Sequence, residues 1–96
     1  MISVNTVQRV KDLSAVDVLG KYVKLQRQGA NYVCCCPFHG EKTPSLNVSP
    51  SKNLWHCFGC DRGGDAIKFV MELQNIEFQD AVEEIAKSNG VYVEYV

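Results

Sequence analysis

Cys36-Pro37-Phe38-His39 and, after a gap of 17 residues, Cys57-Phe58-Gly59-Cys60 are two pairs of metal-ligating residues built to one plan. Each pair sets two residues between its donors, a turn tight enough to bring both donor atoms to one ion. Three thiolates and one imidazole complete a tetrahedron with no open position, which is the chemistry of a closed, structural Zn2+ site. The expected ligands are Cys36, His39, Cys57 and Cys60. Using Cys35 in place of Cys36 breaks the C-x-x-H spacing. His56 is the rival imidazole, but it adjoins Cys57. Adjacent residues on an extended strand point to opposite faces, so His56 should point away from the metal.

The rest of the chain must fold around that site. Ninety-six residues make one small domain, 1–96, whose hydrophobic content of 46% fits a globular fold rather than disorder. A core of this size is marginal, and the binding energy of a structural metal becomes folding energy. No apolar run approaches the roughly 18 residues of a membrane span. The first ten residues, M-I-S-V-N-T-V-Q-R-V, lack the apolar centre of a signal peptide. The expectation is a cytoplasmic protein with no membrane partner. Five cysteines are too odd a number for a disulfide framework. Cys34 and Cys35 read as small strand residues facing opposite sides of a sheet. A thiol oxidoreductase would require Cys57 and Cys60 to open a helix in a βαβ unit, and the pattern around them does not.

The periodicity predicts an α+β fold: a small zinc-ribbon-like antiparallel sheet, over about 21–62, flanked by helices. The first 20 residues read as helical, with Ser14 as an N-cap, Asp17 in the first turn and Gly20 as a stop. Alternation predicts a strand from Tyr22 to about Arg27, a turn at 28–31, and a returning strand from Tyr32 to Cys35 that delivers the first ligand pair. Leu46 and Val48 share one side of the next strand. A hairpin turn over 50–53 leads to a strand from Leu54 to His56. Gly63-Gly64 reads as a breaker that allows close approach to the metal site, and Asp65 as a helix start. Two C-terminal helices follow within about 64–89. The second has Phe78, Ala81, Val82, Ile85 and Ala86 on one face and Asp80, Glu83 and Glu84 on the other. Gly90 should end it.

Net charge is −1, but its distribution is uneven. Residues 21–62 carry six Lys and Arg against two acidic residues, whereas residues 63–96 carry two against seven. A basic stretch suits a polyanion. Within it, cations and aromatics interleave, as in surfaces that hold single-stranded nucleic acid through phosphate contacts and base stacking. The candidate DNA contacts are Tyr22, Lys24, Lys42, Lys52, Trp55 and Arg62. Trp55 is the expected stacking ring, and Tyr22 should share a strand face with Lys24. Phe38 and Phe58, inside the ligand pairs, are expected to pack over the metal. No Walker-type phosphate loop and no catalytic constellation stand out.

Two longer stretches carry a family resemblance: C-P-F-H-G-E-K-T-P-S-L-N-V, residues 36–48, and W-H-C-F-G-C-D-R-G-G-D-A-I-K-F-V, residues 55–70. They resemble the N-terminal zinc-binding domain of the bacterial, DnaG-type DNA primases, from about Val7 to about Gly90. The resemblance implies a domain that engages the single-stranded DNA template while a separate polymerase domain makes a short RNA primer during DNA replication. A replicative helicase would bind through C-terminal regions outside these residues. The chain itself is then a non-catalytic part of a primase, either a fragment or a stand-alone homologue. Cys34-Cys35 departs from the family's usual residues there and points to a divergent, phage or mobile-element version. The alternative is a zinc-stabilised interaction or DNA-binding module without primase activity. Salt-dependent binding of single-stranded DNA separates a template binder from a protein-interaction module.

Overall fold

The computed structural model describes residues 1–38 and 44–96. His39 and Lys42, one expected zinc ligand and one expected DNA contact, lie outside the described residues. Five antiparallel strands form one sheet in sequence order: β1 (Gln26–Gln28), β2 (Asn31–Cys35), β3 (Pro44–Ser49), β4 (Leu54–Cys57) and β5 (Arg62–Gly64). Four helices flank it: α1 (Val4–Lys11), α2 (Ala15–Leu19), α3 (Ala66–Gln74) and α4 (Phe78–Ser88). The architecture is α+β, as the periodicity predicts. Among the described residues, no helix is long and apolar enough to cross a membrane.

The sheet has two unlike faces, and strand alternation assigns them. Leu46 and Val48 of β3 and Trp55 and Cys57 of β4 are buried beneath the helices. Their neighbours Asn47 and His56, paired directly across the sheet, face outward. On the inner side Trp55 anchors an aromatic cluster. Its ring stacks on Phe38 at 5.6 Å and meets Phe69 of α3 edge-on at 5.4 Å. The indole Nε1 donates to the Asp65 carbonyl at 2.7 Å, so its polar atom is satisfied where it is buried. Val18, Leu19, Ile67, Val70, Val82 and Ile85 complete the core.

The helix ends follow the local chemistry. The Ser14 hydroxyl accepts from Asp17 N–H, and the Asp65 carboxylate accepts from Lys68 N–H at 2.9 Å. Gly90 adopts φ +74° just beyond α4, and Val91 N–H closes back on the Ala86 carbonyl at 2.9 Å, as a Schellman stop requires. The termini clasp each other. Ser3 N–H reaches the Glu94 carbonyl, Glu94 N–H reaches the Thr6 hydroxyl, and Val96 N–H reaches the Met1 carbonyl.

Two elements differ from the sequence reading. The strand expected from Tyr22 begins only at Gln26, because Tyr22 and Val23 N–H groups both return to the Leu19 carbonyl and continue the helical turn. The glycine pair is not a breaker but the end of β5. A Cβ on Gly63 would sit 2.9 Å from the Trp55 carbonyl oxygen and 3.1 Å from His56 Cδ2. The close approach is therefore to β4, not to the metal site.

Candidate zinc centre and nucleic-acid face

The fold brings three of the expected ligands together from two separate chain segments. Cys36 follows β2, Cys57 ends β4, and Cys60 sits in the turn before β5. Their sulfur atoms all lie within 4.8 Å of one another, with Cys36 Sγ and Cys60 Sγ at 3.9 Å. Tetrahedral zinc with Zn–S bonds of about 2.3 Å needs sulfurs roughly 3.8 Å apart, so the donor set fits that ion. Cys36 and Cys57 are buried, and Cys60 is half-buried. The second turn is held by backbone: Asp61, at φ +57°, donates its N–H to the Cys57 carbonyl at 2.8 Å.

Electrostatics prepare one of the sulfurs for charge. Burial works against a thiolate at Cys57. Hydrogen bonds from the Ser45 hydroxyl, the Cys60 backbone and the neighbouring thiols outweigh it and bring the thiol down to about 6. Burial pushes Cys36 the other way, to about 12. The direction that matters is that Cys57 carries the first negative charge, with Ser45 Oγ 3.5 Å from its sulfur. Bound zinc would supply the positive charge that lets all three thiols ionise. Cys34 is buried and Cys35 exposed, but the β2–β3 register shifts between them and both border one depression, so simple strand alternation does not describe the pair. Burial, with Cys35 and Cys57 beside it, raises the Cys34 thiol to about 11.

Among the described residues, the expected DNA contacts do not gather on one surface. Trp55 is 2% exposed and wholly committed to the core, which corrects its reading as the stacking ring. The strand parity that puts Cys57 inward also puts Trp55 inward. Tyr22 is not on a strand with Lys24. Its phenol donates to Glu84 Oε2 at 2.6 Å and its ring lies 6.4 Å from Phe69. Arg62 lies over the Phe38 ring at 5.1 Å, with Nη1 3.9 Å from Glu72 Oε1.

Lys24 and Lys52, in contrast, flank the outward face of the sheet. Lys24 borders a depression with Gln26, Val33 and Cys35. Lys52 borders the neighbouring one with Asn47, His56 and Phe58. Phe58 is 72% exposed, so it does not pack over the metal as expected; its ring meets His56 edge-on at 4.6 Å. His56 points away from the metal, with Nε2 3.1 Å from Asp61 Oδ1. The sequence alone singles out neither Ser45, beside the Cys57 sulfur, nor Asn47 on the outward face, and it places Phe58 over the metal. The parity counted from Cys57 was signal enough for Phe58.

Comparison with known proteins agrees with this geometry. The family model described as CHC2 zinc finger matches residues 2–96. A DNA primase of Geobacillus stearothermophilus is 49% identical over 89 residues, which cover 93% of this chain and 15% of that protein. A DNA primase of Campylobacter jejuni is 40% identical over 99% of this chain and 16% of its own length. The crystal structure of the Aquifex aeolicus primase, comprising zinc-binding and RNA polymerase domains, superposes with a TM-score of 0.84 at 41% identity. The match covers 95% of this chain and 22% of that one. This chain thus spans about 15% of the length of such relatives. With three cysteine sulfurs poised for zinc on a five-stranded antiparallel sheet, and a family match from residue 2 to residue 96, the chain belongs to the CHC2 zinc-finger family, the zinc-binding domains of bacterial DNA primases.

Proposed function

We propose that this chain binds the single-stranded DNA template of a primase through the outward face of its sheet. It would thereby support RNA primer synthesis by a polymerase domain supplied in cis or in trans. Zinc, held by Cys36, Cys57 and Cys60 with His39 as fourth ligand, has a structural role: it ties β2 to the β4–β5 turn and so holds that face in shape. A replicative helicase would act through regions outside these residues, and the work would take place in the cytoplasm.

One observation carries the reading. None of the five strands contains Asp or Glu, although the chain has 11 acidic residues. The outward face is instead amide, hydroxyl, aliphatic and aromatic, and it is bordered by Lys24 and Lys52; Asp61, in the turn after β4, is paired with His56. A phosphate chain can cross such a face without meeting a fixed negative charge on a strand. The acidic side of α4 is a weaker candidate for a protein partner. Glu84 accepts from Tyr22 and Glu83 from Tyr95, so two of its carboxylates are engaged within the chain.

The test is fluorescence anisotropy of zinc-loaded protein with labelled single strands across a range of salt. Affinity should fall with salt, with a log–log slope of about −0.7 for each neutralised phosphate. Lys24→Ala and Lys52→Ala should each weaken binding and flatten the slope. Arg62→Ala, whose guanidinium is held by Phe38 and Glu72, should change it less. Folded Lys24→Ala and Lys52→Ala proteins that bind like the parent would refute the assignment of this face.

A further inference from the structure

Charge alone leaves one feature of the outward face without a role. A depression of about 620 Å3 lies in the sheet, lined by Asn31, Asn47, Ser49, Lys52, His56 and Phe58 among others. Asn47 of β3 is part of its lining, directly opposite Val33 on one side and His56 on the other. Among the described residues its half-buried carboxamide makes no hydrogen bond, which leaves one donor group and one acceptor available at the surface.

The wall beside it is fixed. The His56 ring is set edge-on to Phe58 at 4.6 Å, its Nε2 is taken by Asp61, and it lies against Gly63, where a side chain would collide with it. His56 therefore turns its Nε2 to Asp61 and packs its ring edge against Phe58, while its Nδ1 makes no hydrogen bond among the described residues. Phe58, 72% exposed, keeps surface for a planar ligand. Lys52 also lines the depression and brings a positive charge for a phosphate attached to that ligand.

We propose that this depression takes one unstacked base of the template, stacked on Phe58 and read by Asn47, with adenine preferred. The inference rests on the single-strand reading above. A carboxamide offers its oxygen and its NH2 side by side, which matches the N6 amino group and N7 of adenine. In a single strand no complementary base competes for the contact. An aromatic face accepts any base, so Phe58 supplies affinity and Asn47 the choice.

The test uses zinc-loaded protein and labelled oligothymidylates of about 12 nucleotides, within the usual range of single-strand sites. One strand is all thymidine and the other carries a single central deoxyadenosine. The parent should bind the second strand at least about 5-fold more tightly, the low end for a good bidentate contact. Asn47→Ala should erase that preference and keep the salt slope. Phe58→Ala should weaken both strands by about 5-fold or more with the slope unchanged. Both side chains lie on the surface, and circular dichroism confirms the fold of each variant. Equal binding of the two strands by the parent, or a preference that survives Asn47→Ala, overturns the base subsite while salt-dependent binding still upholds the single-strand reading. Failure of the parent to bind either strand at low salt overturns both.

Discussion

Asn53 should be worth far more to this fold than an ordinary turn residue, and the structure says how much. It closes the β3–β4 hairpin at φ +56°, a left-handed conformation that costs an ordinary residue about 1–2 kcal/mol. Its side chain then reaches across to the α1–α2 junction. Oδ1 accepts from Ala15 N–H at 2.7 Å, and Nδ2 donates to the carbonyls of Leu13 at 2.9 Å and Lys11 at 3.3 Å. Ala15 opens α2, so its N–H has no partner within that helix. Two of the three bonds are partly shielded from water, at about 1 kcal/mol each, and the third is exposed and worth little. Asn53→Gly keeps the backbone conformation and deletes only the side chain, so it should cost about 2–3 kcal/mol. Asn53→Ala adds the left-handed strain and should cost about 3–5 kcal/mol. For a domain of this size the glycine variant should melt roughly 8–20 °C lower. Urea unfolding at a fixed concentration of free zinc measures both, since bound metal adds its own stabilisation. A glycine variant within about 0.5 kcal/mol of the parent, the range of ordinary surface changes, would refute the clamp. Equal losses for Gly and Ala would refute the strain component.

Other outcomes follow from the same contacts. Tyr22→Phe should cost about 1 kcal/mol at neutral pH. Burial first, then the hydrogen bond to Glu84 and its charge, raise the phenol above its ordinary value. The contribution is therefore complete below the unfolded value of about 10 and is lost only as pH climbs through the raised folded value. Denaturation of parent and variant at pH 7 and above pH 10 checks this, and a loss already complete at pH 9 would contradict it. Ser45→Ala removes the hydroxyl 3.5 Å from the Cys57 sulfur and should weaken zinc retention by about 10-fold, read as transfer to a chromogenic chelator. Unchanged retention would mean that the hydroxyl gives the metal site nothing. In zinc-loaded protein a thiol-alkylating agent should label exposed Cys35 and spare Cys34, whose buried thiol is raised to about 11, and peptide mass mapping distinguishes the two. Labelling at Cys34 first would contradict its burial.

The zinc pattern was legible because ligand spacing is a local property. Two residues between donors fix a turn whatever the rest of the chain does, and the fold brought three of those donors within 4.8 Å of one another. Helix ends were legible for the same reason: Ser14, Asp65 and Gly90 each act on backbone groups within a few positions. Asn53 was not. Its partners are 38 to 42 residues away, and nothing in the four turn residues says which helix junction will pass above them. Tyr22 likewise looked like a strand residue by alternation, but it takes its partner from α4, 62 residues on.

Trp55 and Phe58 exchange the places their chemistry suggests, and strand parity accounts for both. Parity from Cys57 correctly turns His56 away from the metal. Carried one step in each direction, the same rule turns Trp55 inward with Cys57 and Phe58 outward with His56. The burial follows it, at 2% for Trp55 and 72% for Phe58. Residue chemistry alone favours the opposite choice, since an indole among lysines resembles a stacking platform. Burial decides the matter by magnitude. Truncating a buried Trp costs about 3–5 kcal/mol, more than the 1–3 kcal/mol that one stacked base returns. A small domain cannot leave its largest ring outside. The exposed face is then built from what the core does not need: Phe58, the amides of Gln26, Asn31 and Asn47, and the hydroxyl of Ser49. That division makes the two roles separable by substitution. Trp55→Phe should lower stability and leave the affinity of the folded protein for single strands unchanged, whereas Phe58→Ala should do the reverse.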